Sequence, residues 1–128
     1  MITPHQIVYL EHGTTRLYAE VIDIVHTRQL CWARPLMLVV SSEALTGNWA
    51  DISTLALEEL YNLKDSPDII WPLCLFQPAL DIEVFQLLSN LQRKDASISQ
   101  SAGIQHMQRF VHQLWAAYPE HFSHPSAS

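Results

Sequence analysis

Apolar and polar residues alternate with a period of two along the N-terminal part of the chain. The alternation runs through residues 7–11, 17–25 and 30–40, and short turn segments separate the three runs. Successive side chains of a β-strand point to opposite faces, so this pattern is typical of strands with at least one buried face. It predicts three antiparallel strands that follow one another as a meander.

The third of these runs contains a conflict between its composition and its expected structure. Trp32, Arg34 and Pro35 lie close together in a segment that is otherwise apolar. Proline has no backbone N–H to donate to a sheet, so it is found at sheet edges and at β-bulges. A bulge at Pro35 bends the strand, as strands bend when a sheet curls into a small barrel.

Residues 52–63 fit two alternatives. Their apolar positions match a helix, but residues 57–63 also match a strand that leads into a turn. The strand is favoured because the following Asp, Ser and Pro residues are typical of turns. Residues 69–76 are apolar and are interrupted by Pro72, which predicts another strand near a sheet edge.

The apolar period changes from two to 3.6 at residue 80. This change predicts a helix over residues 80–94 and another over 104–118, with a polar hinge at 95–103 and a tail at 119–128. The predicted buried face of the first helix comprises Leu80, Val84, Leu87, Leu88 and Leu91.

These elements predict one α+β domain over residues 1–128. Residues 7–79 are expected to form a curled antiparallel sheet of four to five strands, in the form of a small SH3-like barrel. The two C-terminal helices are expected to pack across this sheet, since each has one apolar face to bury.

The composition narrows the possible partners. Charged residues make up only 16% of the chain, against about 25% in typical soluble domains, which favours a surface partly covered by a partner. The net charge of −6 makes nucleic acid an unfavourable partner, because binding a phosphate backbone depends on lysine and arginine. No apolar run approaches the roughly 20 residues of a membrane span, and no secretory signal is present, which predicts a soluble cytoplasmic protein.

The residue types that carry catalysis or bind cofactors form no recognisable motif. His106 and His112 are six residues apart, which does not place them on a common helix face for a metal. Cys31 and Cys74 lie in apolar runs, which predicts two buried thiols rather than a nucleophile. The chain therefore favours a protein that is not an enzyme, with no predicted catalytic, cofactor-binding or metal site, although an enzyme stays open.

A protein-interaction or assembly factor is the function that remains. Tryptophan and arginine are the residues most enriched at interface hot spots, and here they lie beside proline-induced breaks. The outer face of the last helix offers a second surface, and an apolar sheet edge at Pro35 also makes a homodimer possible. The candidate interaction surface comprises Trp32, Arg34, Pro35, Trp71, Arg109 and His112.

The alternative is a small barrel that binds a small molecule or single-stranded nucleic acid. Such barrels combine stacking aromatic residues with a basic groove. The residues that fit this pattern are Tyr9, Tyr18 and Trp32, with Arg16, Arg28 and Arg34 near them.

Three segments also carry a resemblance to other proteins. They read R-L-Y-x-E-V-I, Q-L-C-W-x-R-P-L and C-L-F-x-P-A-L-D. They lie within residues 16–81, a span of about half of the chain, and resemble a group of short uncharacterised proteins of cyanobacteria. The resemblance implies a soluble cyanobacterial protein and no active-site residues.

Overall fold

A computed structural model of the protein describes residues 2–41, 57–63, 66–93 and 100–118. The described chain is an α+β structure with a six-stranded antiparallel sheet and two helices. The elements are β1 (Ile7–His12), β2 (Thr15–Val25), β3 (Leu30–Ser41), β4 (Leu57–Asn62), β5 (Ile69–Pro72), a 3-10 turn (Leu73–Leu75), β6 (Gln77–Pro78), α1 (Asp81–Arg93) and α2 (Gln100–Ala117).

The strands pair in the order β4-β3-β2-β1-β6, and β5 pairs with β3. This order ends at β4 on one side and at β6 on the other, so the sheet does not close among the described residues. The predicted α+β class is confirmed, whereas the small SH3-like barrel is not. Among the described residues, β6 pairs only with β1, while β4 and β5 both pair with the same edge of β3, so no pairing joins the two ends of the sheet.

The outer edge of β3 is shared by two strands. Residues 30–33 pair with β5, and residues 37–41 pair with β4. Pro35 lies between these two pairings, where the backbone N–H of Leu63 donates to the carbonyl of Leu36 at 2.9 Å. A residue that cannot donate to a ladder therefore sits where β3 changes its neighbour.

Two bulges interrupt the pairing between β2 and β3. Tyr18 lies opposite Met37 but Ala19 lies opposite Pro35, so one extra residue enters β3 at this point. A second shift, between Val21 and Asp23, adds an extra residue to β2. The bulge expected at Pro35 is present. Because each bulge reverses the direction of the following side chains, an uninterrupted period of two would assign parts of β2 and β3 to the wrong faces.

The two faces of the sheet carry separate cores, each covered by one helix. On one face, Met107, Phe110 and Leu114 of α2 pack against sheet residues such as Leu17 and Leu38. On the other face, α1 contributes Val84 and Leu87 to a smaller core with Tyr18, Met37, Val39 and Leu60. The alternation of β-strand side chains explains why one sheet supplies both cores.

Several predicted boundaries change in the structure. The strand predicted over residues 69–76 ends at Pro72, and the 3-10 turn follows it. α1 buries Val84 and Leu87, whereas Leu80 and Leu88 of the predicted buried face are exposed. α2 begins at Gln100, so residues 100–103 of the predicted hinge are helical. Residues 94–99 and the tail at 119–128 lie outside the described residues.

The strand favoured for residues 57–63 is present as β4. Its assignment was ambiguous in the sequence because short apolar runs fit both a helix and a strand. Pairing with β3 explains why this segment is a strand. β4 satisfies the backbone hydrogen bonds of residues 37–41 of β3, which a helix at this position would leave unpaired. Residues 52–56 lie outside the described part of the chain.

Candidate functional site

Trp32 and Arg34 project from the same face of β3, two residues apart. One carboxylate joins them: the indole Nε1–H of Trp32 donates to Asp68 Oδ2 at 3.0 Å, and Arg34 Nε lies 3.5 Å from Asp68 Oδ1. Trp32 is 38% exposed and the Arg34 side chain 54%. Both side chains reach solvent because the residues that α1 packs against lie further along the sheet, around Met37 and Val39.

Pro35 lies apart from this exposed pair. Its side chain is fully buried, since it lies opposite Ala19 within the bulge between β2 and β3. The prediction that Pro35 belongs to an interaction surface is therefore wrong for its side chain. The proline shapes the strand that carries Trp32 and Arg34.

Trp71 is also mainly a core residue. It is 8% exposed, belongs to the core beneath α2, and lies opposite Cys31 on β3.

Burial raises the pKa of the Cys31 thiol to about 11, which disfavours the nucleophilic thiolate. The prediction that Cys74 is also buried is wrong, because this residue lies in the 3-10 turn and is exposed.

A groove lies between β5 and α2. Trp71 lines it together with His112, another residue of the predicted interaction surface. Its volume is about 490 Å³, within the range of ligand-binding pockets. One wall is formed by Ile69, Ile70 and Trp71 of β5, and the other by Met107, Gln108, Val111, His112 and Trp115 of α2. We call these eight residues the β5–α2 groove.

The β5–α2 groove is largely apolar and partly open to solvent. Ile70 is 58% exposed and Trp115 is 50% exposed. None of its described lining residues is Asp, Glu, Lys or Arg. Ile70 is also the cross-strand neighbour of Trp32, so apolar surface continues from the groove across β5 to that indole.

The two predicted residues on α2 have different positions. His112 lines the groove, whereas Arg109 is exposed on the helix and does not line it. The structure thus places Trp71 and His112 in one site, with Trp32 beside it. Ile70, Val111 and Trp115 were not predicted as site residues, because the pairing of β5 with β3 and the packing of α2 bring them together only in the folded chain.

A buried polar cluster joins α1 to the sheet. Arg16 of β2 donates from Nη1 to Tyr18 Oη at 3.2 Å and to Glu83 Oε2 at 3.3 Å. The Tyr18 hydroxyl also donates to Glu83 Oε2, at 2.9 Å. The other carboxylate oxygen of Glu83 accepts from the backbone N–H of Leu80 at 2.8 Å, which caps the start of α1.

Arg16 has two further neighbours at the surface end of this cluster. Its Nε and Nη2 atoms both lie 2.9 Å from Glu11 Oε1, and its guanidinium carbon lies 4.0 Å from the centre of the Tyr9 ring. Burial alone lowers the pKa of Arg16, but the hydrogen bond and charge interaction with Tyr18, with smaller contributions from Tyr9 and Glu11, raise it overall. Arg16 is therefore a charged residue that two carboxylates neutralise inside the structure.

This cluster weakens the nucleic-acid alternative. Arg16 is only 7% exposed and Tyr18 is fully buried, so neither can form part of a basic, aromatic binding surface. Burial is also the main reason that the pKa of Tyr18 is raised. Sequence spacing did not reveal the cluster, since Glu83 lies 67 residues from Arg16.

The described residues contain no group of three His, Cys, Asp or Glu side chains that could hold a metal ion. His106, one of the two helical histidines, stacks on Tyr61 of β4 with the ring centres 4.6 Å apart.

A second cavity, of about 530 Å³, is lined by Tyr9, Glu11, Cys74, Leu75, Gln77, Leu114 and Tyr118.

Comparison with known protein families, curated proteins and solved structures finds no match to this chain. The resemblance to short cyanobacterial proteins therefore stays a prediction. None of the described helices is long and apolar enough to cross a membrane.

Proposed function

We propose that this protein is a non-enzymatic interaction or assembly factor that binds a polypeptide partner in the β5–α2 groove. The observation that carries the proposal is the exposure of Ile70 and Trp115 on opposite walls of an apolar groove. Large apolar side chains that stay exposed around a concave surface are typical of binding sites.

Trp32 and Arg34 extend this surface on the far side of β5. Asp68 holds both side chains, so a partner meets an indole and a guanidinium whose positions are already restrained. Restraint before binding lowers the entropy cost of association. Trp32, Ile70 and Trp115 are accordingly the residues that we expect to contribute most to affinity.

We also propose a cytoplasmic location. Cys31 and Cys74 are both thiols rather than a disulfide, and Cys74 is exposed. Exposed thiols of this kind persist in reducing compartments.

A display selection tests the proposed function. The wild-type protein is used to select binders from a library of random decapeptides, and affinities are then measured by fluorescence anisotropy. We expect Trp115→Ala to lower the affinity for the enriched peptides about 30-fold, which corresponds to a hot-spot contribution of about 2 kcal/mol.

Phe85→Ala is the matched control for this experiment. Phe85 is an exposed aromatic residue of α1, 73% accessible, and it does not line the groove. We expect its replacement to leave the affinity unchanged. Peptides that bind wild type and Trp115→Ala equally well, or a selection that enriches none, would contradict the proposed function.

A further inference from the structure

β5 has one strand neighbour among the described residues, and its other edge faces away from β3. The backbone N–H of Leu73 donates to the carbonyl of Gln29 at 2.9 Å, and the register continues from this pair to Trp71 opposite Cys31. Hydrogen-bonded pairs in an antiparallel ladder recur at every second residue. The N–H and C=O of Ile70 therefore point away from β3.

The β5–α2 groove runs along this outward edge. Three consecutive residues of β5 line it, which occurs when a strand presents its edge and not only one face. Met107, Val111 and Trp115 recur at four-residue intervals on the opposite wall, so they form one row along α2. Two such intervals span about 12 Å of helix, which matches about four residues of extended chain.

We propose that the partner binds by strand addition: an extended segment of about four residues lies in the groove and hydrogen-bonds to the outward N–H and C=O of Ile70. This inference rests on the proposed function and specifies its binding mode. β5 is itself four residues long, so the added strand and the groove have the same length.

The lining residues define the chemistry of the bound segment. An added strand directs alternate side chains towards α2, where Met107, Val111 and Trp115 provide apolar contacts. Among the described lining residues, His112 is the one titratable side chain. The preferred segment therefore carries apolar residues at every second position, with β-branched or aromatic side chains that suit an extended backbone.

Backbone methylation of the peptide tests the proposed mode. The decapeptide enriched most strongly by the wild-type protein is synthesised in a series that carries one N-methyl amide at a time. We expect methylation at alternate positions across the bound core to weaken binding at least 10-fold. At the intervening positions the affinity is expected to stay within about 3-fold, because only every second N–H faces β5.

A substitution in the protein provides the complementary test. Ile70→Pro removes the outward N–H without removing a donor to β3, and Ile70→Val retains that N–H with a similar side chain. We expect at least a 10-fold loss of affinity for Ile70→Pro and less than a 3-fold loss for Ile70→Val. If Ile70→Pro does not fold, the methylation series by itself decides the question.

The two hypotheses fail in different ways. Peptides that require Trp115 but show no alternation along the methylation series would overturn strand addition and leave the proposed function intact. A selection that enriches no peptide would overturn both.

Discussion

Arg16 illustrates how one residue can have a different role from the one its sequence neighbours suggest. It lies near Tyr9 and Tyr18 in the chain, a grouping that also fits nucleic-acid binding. In the fold, Glu11 and Glu83 accept its hydrogen bonds and Tyr9 covers its guanidinium group. The residue therefore stabilises the attachment of α1 to the sheet.

We predict that Glu83→Gln lowers the free energy of unfolding by about 2–3 kcal/mol. Removing one member of a buried ion pair leaves the other charge poorly compensated, and here Glu11 still neutralises part of it. Urea unfolding measures the difference. Asp81→Asn is the matched control, because Asp81 occupies the same helical turn but is exposed, and we expect a change of less than about 0.5 kcal/mol.

Tyr18 makes the stability of the folded protein sensitive to alkaline pH. Its pKa is raised in the folded state, mainly by burial, above the usual value of 10.0. Stability from the neutral phenol is therefore fully present below pH 10 and is lost as the pH rises, because the unfolded chain ionises first. We expect stability to fall more steeply above pH 10 in wild type than in Tyr18→Phe, as measured by urea unfolding at each pH. Equal slopes for the two proteins would contradict this assignment.

The elements of this fold are positioned by bulges and by two helices on opposite faces of the sheet. The bulge near Pro35 lets Cys31 and Ala33 share a core with Leu38, although an unbroken strand would point Leu38 the other way. On α1, the stripe predicted from period 3.6 is shifted, so that Leu87 is buried and Leu88 is 38% exposed.

Leu87→Ala and Leu88→Ala test this orientation of α1 with the same chemical change at adjacent positions. We expect Leu87→Ala to reduce the free energy of unfolding by about 3 kcal/mol, because it leaves a cavity in a fully buried site. For Leu88→Ala we expect less than about 1 kcal/mol. Thermal or urea unfolding of both variants gives the comparison, and similar losses for the two would contradict an orientation in which α1 buries Leu87 and exposes Leu88.

The protein as a whole is acidic, whereas the β5–α2 groove is largely apolar. The chain carries a net charge of −6, but the described residues that line the β5–α2 groove include no acidic or basic side chain other than His112. An overall negative charge repels polyanions, and an uncharged groove offers them no compensating positive charge.

The same charge distribution predicts weak interaction with nucleic acid. In a fluorescence titration with short single-stranded oligonucleotides at low salt, we expect no saturable change, because Arg16 and Tyr18 are buried. Low salt is the most favourable condition for phosphate binding, which makes the test stringent. Saturable binding that disappears as salt is added would instead support the nucleic-acid alternative.

Local pattern was sufficient for a large part of this fold. The period of two identified β1, β2 and β3 within a few residues, and the change to 3.6 identified both helices, because each depends on side-chain directions along one segment. The position of Pro35 also predicted a bulge, since a missing N–H is a property of the residue itself.

Contacts between distant segments established the rest. The ion pair of Arg16 with Glu83, the link of Asp68 to Trp32 and Arg34, and the β5–α2 groove each join residues that are far apart in the chain. Periodicity cannot identify such neighbours, because it records which side a residue points to and not what it meets there. Residue type alone predicted Trp32 as a surface residue, but its exposure depends on where α1 lies, and only the packing of the helices against the sheet determines that position.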